Sequence, residues 1–520
     1  MKKMVIYYTS LIGLFIFIIF LRIYRLDELP LSMHIDEAGL GLNAWSLANY
    51  GTDRYGNFLP VCPINFYGEQ SGFYSYFCAV FIKIWGLNIY TLRLPAVIMG
   101  VIAVLFGALI CKEKWGNKGF FGGLVLLGIF PYYIMNSRFA LDCNAMLGMI
   151  SIAFYCLIRL IKRIEKEPQK NYYGAFALTG FLLGLVLYTY IIAALVVAVF
   201  CVLFGIYYLC YQKENKGHRL KQLVFMAIPL IIMVLPLGLV VCVNYFGWQS
   251  IETAFFSVPK LPLNRTEEVG FSLFVLPEKI KGILHTLTSD GKYGSSDTYW
   301  TMYWWSVPFV IWGGLLSVYE AIRNRNKQEH MEENLMLFLV IAECVMFVLC
   351  GWHNYHINGI FVALSFFCMK GILNIMFGFK NPKLQKACIC VVLVLYMVTF
   401  VGFSGSYFGT QAEAPYQVYG GVEEALSLLT EEQREKEIYI LDEVGEFYFL
   451  SNPISPDEYM QGCNELGYIK DYKNLHFYEP LSLEDEYIYV CSKASGRYYG
   501  LVAEKTWEVK ETEYYYVLYR

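Results

Sequence analysis

Long apolar runs dominate the first 404 positions of this 520-residue chain. A membrane-crossing helix needs about 20 apolar residues. Runs of that kind predict helices near 4–24, 93–111, 119–136, 143–161, 172–188, 191–211, 222–243, 304–322, 334–351, 357–378 and 386–404. The stretch 174–211 is too long for one crossing, and Tyr188-Thr189-Tyr190, where polar atoms cluster, divides it. The segment 71–87 (SGFYSYFCAVFIKIWGL) is apolar too, but it carries Lys83 and is crowded with aromatic rings. Such a pattern predicts a helix lying along the membrane surface. Beyond 404 the long runs stop. An acidic, helix-like stretch at 422–436 is followed by short alternating runs, Ile438-Tyr439-Ile440-Leu441 and Tyr514-Tyr515-Tyr516-Val517-Leu518. These predict a small mixed α/β domain over 405–520. The expected fold class is mainly α: a polytopic transmembrane helix bundle of about eleven spans over 1–404, then that small domain.

Charge orders the bundle. Cytoplasmic loops are rich in Lys and Arg. With the amino terminus inside, the inner loops hold Lys112, Lys114 and Lys118; Arg159, Lys162, Arg163, Lys166 and Lys170; Lys213, Lys216, Arg219 and Lys221; Arg323, Arg325 and Lys327; and Lys380, Lys383 and Lys386. The alternation holds only if 71–87 does not cross. The same topology places 25–92, 244–303 and 405–520 outside. The first run, 4–21, follows Lys2 and Lys3 as a signal peptide would. It has no small-x-small cleavage site and continues into Arg22-Ile23-Tyr24-Arg25, so an uncleaved first helix is expected.

Composition agrees. The chain is 57% hydrophobic and 16% charged, against about 25% charged in soluble domains. Net charge is −3, so nothing global points to nucleic acid. Aromatics reach 18%, and Tyr suits a membrane interface, where an apolar ring meets a wet hydroxyl. Most of the 15 cysteines sit in apolar runs as small buried hydrophobes. Cys463 and Cys491, in the tail, are the one pair considered for a disulfide.

The most informative stretch is 30–60, PLSMHIDEAGLGLNAWSLANYGTDRYGNFLP. Asp36-Glu37 closely follows the first helix and precedes a run of small and apolar residues. A carboxylate at the membrane surface suits one task, accepting the proton of an acceptor hydroxyl as it attacks a sugar carbon. Taken alone, an Asp-Glu pair is more often solvated or caps a helix.

The order of features nonetheless resembles the GT-C superfamily of polytopic glycosyltransferases, in its protein O-mannosyltransferase-like, aminoarabinose-transferase-like and Rgt-like bacterial branch. The resemblance runs through a first helix, His34-Ile35-Asp36-Glu37 and Gly51-Thr52-Asp53-Arg54-Tyr55-Gly56. It continues through an aromatic helix ending Trp85-Gly86-Leu87-Asn88 and through Arg93-Leu94-Pro95. It covers about 1–210 well and the later helices by topology. It implies a base role for Asp36, with Glu37 as its neighbour. It also points to the second outer loop, Asn136-Ser137-Arg138-Phe139-Ala140-Leu141-Asp142-Cys143-Asn144. There Arg138 and Asp142, spaced i,i+4, would share a helical face, either with Arg138 for a carrier phosphate and Asp142 for acceptor or metal, or simply as a surface ion pair. Other outer cations expected near the donor phosphate or acceptor are Arg54, Lys83, Arg93 and His356.

The chemistry implied is transfer of a sugar from a polyprenyl-phosphate donor to an acceptor hydroxyl outside the cell, in the manner of a mannosyltransferase. Nucleotide sugars are cytoplasmic, whereas a lipid-linked sugar arrives within the membrane. Its phosphate is a good leaving group, so the site needs a base and cations, and direct displacement inverts the anomeric centre. Protein hydroxyls, a glycolipid or a cell-wall polymer all remain as acceptors. No cofactor is certain, and a divalent metal stays open: His353 and His356, spaced i,i+3, lack an evident third ligand and read better as polar residues at a helix end, where related enzymes carry Asn or Arg. His285 is unassigned, and the stretch Lys292-Tyr293-Gly294-Ser295-Ser296-Asp297 is either an acceptor cover or a connector. Glu343 falls mid-helix, where a carboxylate signals function or a buried hydrogen bond. Asn264-Arg265-Thr266 is treated as a chance sequon. The competing functions are a transporter or lipid flippase, and a non-catalytic partner protein on the same fold. Few intramembrane charges and no pair of interrupted helices in matching halves speak against transport.

Overall fold

The computed structural model describes the chain except residues 1, 32, 169, 211–215, 263–274, 289–297, 324–329, 352–353, 410–417, 442–444, 481–482 and 496–506. The sequon at 264–266, the stretch 292–297 and His353 therefore lie outside the described residues. The helices run, in order, α1 (Lys2–Ile23), α2 (Ile35–Tyr50), α3 (Gly72–Trp85), α4 (Ile89–Ile129), α5 (Pro131–Met135), α6 (Asn144–Lys166) and α7 (Tyr173–Thr189). They continue with α8 (Ala193–Cys210), α9 (Lys216–Tyr245), α10 (Leu276–His285), α11 (Val307–Arg323), α12 (Met331–Cys350), α13 (Ile360–Gly378) and α14 (Pro382–Tyr407).

Among the described residues, eight helices are long and apolar enough to cross a membrane, with α7 and Tyr7–Ile23 of α1 as shorter apolar helices. Helix α4 is two helices meeting at Gly116, whose φ of 63° breaks the helical path. Its legs answer to the predicted 93–111 and 119–136. The second leg stops at Ile129, earlier than expected: Phe130 is extended, and Pro131, which has no N–H to continue the ladder, opens the separate helix α5. Helices α11 and α13 touch through reciprocal glycines. A Cβ on Gly313 would fall 1.9 Å from Phe367 O, and one on Gly371 would fall 2.1 Å from Phe309 O. Small residues of this kind let helix backbones meet where lipid gives no hydrophobic drive.

The chain forms two compact units. One comprises Met1–Tyr24, Ala96–Leu237 and Glu267–Gly409 and holds most of the apolar helices. The other comprises Arg25–Pro95, Gly238–Thr266 and Thr410–Arg520, so the loop after α1 and the tail are one body rather than separate parts. Within this second unit, hairpins β1 (Ile64–Asn65) with β2 (Gly68–Glu69) and β3 (Ile251–Glu252) with β4 (Ser257–Val258) accompany α2 and α3. The tail adds α15 (Gly421–Ser427), α16 (Glu431–Arg434), α17 (Gly445–Ser451) and α18 (Pro456–Gln461). Its strands are β5 (Ile438–Ile440), β6 (Asp471–Tyr472), β7 (Leu475–His476), β8 (Ile488–Ser492), β9 (Glu508–Glu511) and β10 (Tyr515–Tyr519). They form one sheet, ordered β6-β7-β5-β8-β10-β9, parallel at its centre where β5 lies between β7 and β8. Both predicted alternating runs are strands, β5 and β10. The predicted acidic helix is divided in two, because Thr430 caps α16 with a capping box to Gln433. Cys463 and Cys491 form no disulfide, and Cys491 is buried in the sheet core beside Tyr489 and Leu518.

Helix α3 packs on α2 and buries Tyr74, Cys78, Ala79 and Ile82, with Tyr74 Oη donating to Leu92 O of α4. Phe73, Phe77, Phe81 and Trp85 form a ladder along it, with successive ring centroids 5.8, 5.2 and 5.8 Å apart. Val80, Ile84 and Trp85 are more than half exposed. Its 14 residues rise about 21 Å, short of the ~30 Å hydrocarbon layer. A buried face, an exposed aromatic face and this length suit a helix lying in the interface. If α3 does not cross, Asn88→Cys labels from the extracytoplasmic side and Asn117→Cys from the cytoplasmic side with a membrane-impermeant maleimide. Labelling of both from one side rejects this arrangement.

Candidate active site

The site candidate is built where α2 begins. His34 is its N-cap and forms a capping box: the imidazole Nδ1 accepts the Asp36 N–H at 3.1 Å, and Glu37 Oε2 accepts the His34 N–H at 3.3 Å. Two acids in the first turn suit the positive end of a helix. Their surroundings differ completely. The Glu37 side chain has 0% exposure, and so has that of Arg93, which clamps it through Nε to Oε1 at 3.1 Å and Nη2 to Oε2 at 3.3 Å. Arg93 Nη1 also donates to Leu26 O and Pro30 O at 3.0 and 3.1 Å. The Asp36 side chain is 41% exposed, with Oδ2 3.2 Å from His34 Nδ1. One carboxylate is locked into the framework, and its neighbour faces outward.

A second buried guanidinium carries the loop behind α2. Arg54 Nη1 donates to Gly39 O at 2.7 Å, and Nη2 donates to Tyr55 Oη and Asn65 Oδ1 at 3.0 and 3.1 Å. Its plane lies against the rings of Phe66, Tyr55 and Tyr459, 4.7, 5.0 and 5.4 Å from their centroids. Gly39 must lack a side chain for this approach, since a Cβ there would fall 2.6 Å from Arg54 Nη1 and 2.0 Å from Asn65 Oδ1. Asp53 is equally buried and gathers the turn, accepting from the N–H groups of Tyr55, Asn57 and Ile64 at 3.0, 3.0 and 3.2 Å. Burial pushes its carboxyl up despite these donors.

The tail supplies the rest of this cluster. Glu446 of α17 is fully buried and accepts from Tyr459 Oη at 2.6 Å. Burial raises its carboxyl, and the Arg54 charge pulls the other way. Tyr55 Oη donates to Gly467 O at 2.7 Å, and the Phe66 ring stacks on Tyr468 at 4.7 Å. Glu446, Tyr459 and Tyr468 escaped the sequence reading, because their link to Arg54 spans some 400 positions and leaves no local motif.

The expected site residues therefore separate. Asp36, Glu37, Arg54, Arg93 and Lys83 fall in one unit, with Lys83 exposed in the last turn of α3. Arg54 and Arg93, expected to face an anionic donor, are instead buried on internal acceptors, because each guanidinium satisfies carbonyls that folding takes out of water. Arg138, Asp142 and His356 belong to the other unit. Arg138 and Asp142 do not share a helical face. The 3-10 turn Asn136–Arg138 ends at Phe139, which is extended. Arg138 is fully buried and donates to Leu21 O, Arg22 O and Tyr24 O at 3.1, 3.0 and 2.8 Å, while Asp142 Oδ1 accepts the Cys143 N–H at 2.7 Å. His356 lies in the turn Asn354–Ile357 against the Tyr190 ring. Glu343 is buried in α12 without the expected interhelical hydrogen bond, both carboxylate oxygens lacking a donor among the described residues.

Among the described residues, one group of three His, Cys or acidic donors lies close enough to share a metal ion: Glu320, His330 and Glu333. It does not fit a metal well, since Lys370 Nζ already stands 2.5 Å from Glu320 and 3.0 Å from Glu333. Lys114 Nζ adds a second ammonium, 3.0 Å from Glu333.

The buried pair gives a stability test. Arg93→Met takes the guanidinium away from the buried Glu37 carboxylate, which costs about 3–5 kcal/mol. Adding Glu37→Gln removes the stranded charge, so the double variant is expected to unfold later than Arg93→Met alone in detergent melts. Strictly additive losses mean that the two side chains do not interact.

No protein-family model matches the chain, and no curated protein matches it in sequence. Solved structures do match in fold. ArnT from Cupriavidus metallidurans bound to undecaprenyl phosphate is similar over 99% of this chain and 98% of its own, with a TM-score of 0.54 and 14% identity. The same protein in the apo state gives 0.56 and 12% identity, over 99% and 97%. The oligosaccharyltransferase of Archaeoglobus fulgidus in the apo form gives 0.46 and 13% identity, over 78% of this chain and 57% of that one. From end to end, the chain has an ArnT-like fold.

Proposed function

We propose that the protein is a membrane glycosyltransferase that moves a sugar from a polyprenyl-phosphate donor to an acceptor hydroxyl on the extracytoplasmic face. The observation that carries this reading is the pairing at the start of α2: an outward carboxylate, Asp36, beside an inward one, Glu37, fixed by Arg93. Its support is the whole-chain likeness to a protein whose structure holds undecaprenyl phosphate.

Asp36 takes the proton of the acceptor hydroxyl as its oxygen bonds to the anomeric carbon. The bond from that carbon to the phosphate oxygen breaks, and the polyprenyl phosphate leaves as an anion. This single displacement inverts the anomeric centre. It needs no second carboxylate as nucleophile, consistent with Glu37 being engaged elsewhere. His34 Nδ1, which accepts the Asp36 N–H and lies 3.2 Å from Asp36 Oδ2, holds this carboxylate in position. Lys83, exposed near the end of α3, is one cation of this unit available to an incoming phosphate. The acceptor is a protein, glycolipid or cell-wall hydroxyl.

The test is transfer by purified protein in nanodiscs from undecaprenyl-phosphate-linked sugars. Asp36→Asn keeps the shape and removes the proton acceptor. It is expected to lower kcat by about 10²–10⁴-fold, the usual contribution of a general base, without a change in melting temperature. Transfer at the parent rate by Asp36→Asn would remove Asp36 from the mechanism.

A further inference from the structure

The turn 463–470 of the tail is held against the loop that follows α2, in the same compact unit as Asp36. Tyr55 Oη donates to Gly467 O, and the Phe66 and Tyr468 rings stack with planes 25° apart. Inside the turn, Asn464 Oδ1 accepts the N–H groups of Leu466 and Tyr468, both at 3.0 Å, and the Asn464 N–H returns to Tyr468 O at 2.8 Å. Tyr468 is thus fixed at the backbone and on one ring face. It remains partly open to solvent, as does Tyr67 beside Phe66. Lys470 Nζ lies 5.9 Å from the Tyr468 ring centroid. Burial raises the Tyr468 phenol first; Tyr67, Glu446 and Asp36 add to the rise, and the Arg54 charge opposes it. The loop that Tyr468 stacks on is itself tied to α2, where Arg54 Nη1 donates to Gly39 O, three residues on from Asp36.

A tyrosine that is held in place, remains partly open to solvent and carries a hydroxyl matches one ligand chemistry well. The C–H face of a pyranose packs on such a ring while its hydroxyls bond to the phenol, an apolar body with a polar tip meeting its like. A lipid phosphate by itself would ask only for cations. The depth of the Arg54, Glu446 and Tyr459 cluster beneath the turn gives this surface the rigidity that a binding site needs.

We propose that the 463–470 turn is part of the substrate site and that Tyr468, with Tyr67, receives a pyranose ring beside Asp36. The proposal rests on the transferase reading above and deepens it, assigning the tail a direct part in sugar recognition. The ring is that of the donor or of a carbohydrate acceptor, and the experiment separates the two.

The full chain in nanodiscs is assayed with undecaprenyl-phosphate-linked hexoses and pentoses against glycolipid, cell-wall polymer and peptide acceptors. Parent, Tyr468→Phe and Tyr468→Leu are compared, and binding of undecaprenyl phosphate without a sugar is measured alongside. Loss of the ring in Tyr468→Leu is expected to raise one KM about ten-fold, the scale of one aromatic contact. Its kcat stays near the parent value, and sugarless undecaprenyl phosphate binds as before. Tyr468→Phe recovers most of the loss. A raised donor KM assigns the ring to the donor sugar, and a raised acceptor KM assigns it to the acceptor. Unchanged KM values for both substrates overturn the proposal, and so does a fall in kcat alone, which marks a purely structural tyrosine. If Tyr468→Leu does not fold, Tyr67→Leu is read by the same criteria. A parent that transfers from no polyprenyl-phosphate sugar defeats the transferase reading itself, whereas an active parent with an indifferent Tyr468 defeats only this inference.

Discussion

The buried ion pair of Glu37 and Arg93 is the constraint on which the rest of the site depends. Two charges with no exposure are costly to desolvate, and the cost is offset only where geometry and extra hydrogen bonds are good. Here both conditions hold: the guanidinium meets the carboxylate through two nitrogens and also binds Leu26 O and Pro30 O. The pair thereby ties together the chain leaving α1, the first turn of α2 and the start of α4. Because Glu37 also accepts the His34 N–H, the point at which α2 begins is set to the residue. Asp36 faces outward as a consequence, one position earlier on a helix whose rotation is no longer adjustable.

Arg54 extends the same logic deeper. It is enclosed by aromatic rings, a carbonyl and an amide oxygen, with the buried Glu446 carboxyl contributing from the tail. A charge so placed holds its surroundings in one arrangement, since any shift would leave it without partners in a low-dielectric interior. It connects α2 and the turn at 51–56 that follows it with the 445–470 region, some 400 positions on. The small residues in the Ala38-Gly39-Leu40-Gly41 run find their reason in this crowding. Gly39 admits the guanidinium, and Gly41 admits Leu450 of α17 and Leu92 of α4.

Much of the fold was legible in the sequence, because a membrane span is a long local signal. The apolar runs marked the helices, the Lys83-bearing aromatic run marked α3, and period-two alternation marked β5 and β10. Local signals failed where a short-range rule cut across a run, as at Phe130-Pro131 and at the Thr430 cap. The site was legible in part. Position and charge singled out Asp36 and Glu37, but nothing local distinguished the open carboxylate from the buried one. That difference is made by Arg93, 56 positions on. Arg54 and Arg138 looked like surface cations by residue type, yet both are directed at internal acceptors. The contribution of Glu446, Tyr459 and Tyr468 was invisible, since it arises only when the tail folds against the loop after α2.

In the proposed mechanism the reacting sugar lies at the outward carboxylate of α2. An experimental structure of the protein trapped with an undecaprenyl-phosphate sugar, as the Asp36→Asn variant in nanodiscs, tests this most directly. The account predicts the anomeric carbon within one hydroxyl's reach of residue 36, with the phosphate on the far side in line for departure. A lipid headgroup bound with its sugar remote from that residue would contradict it.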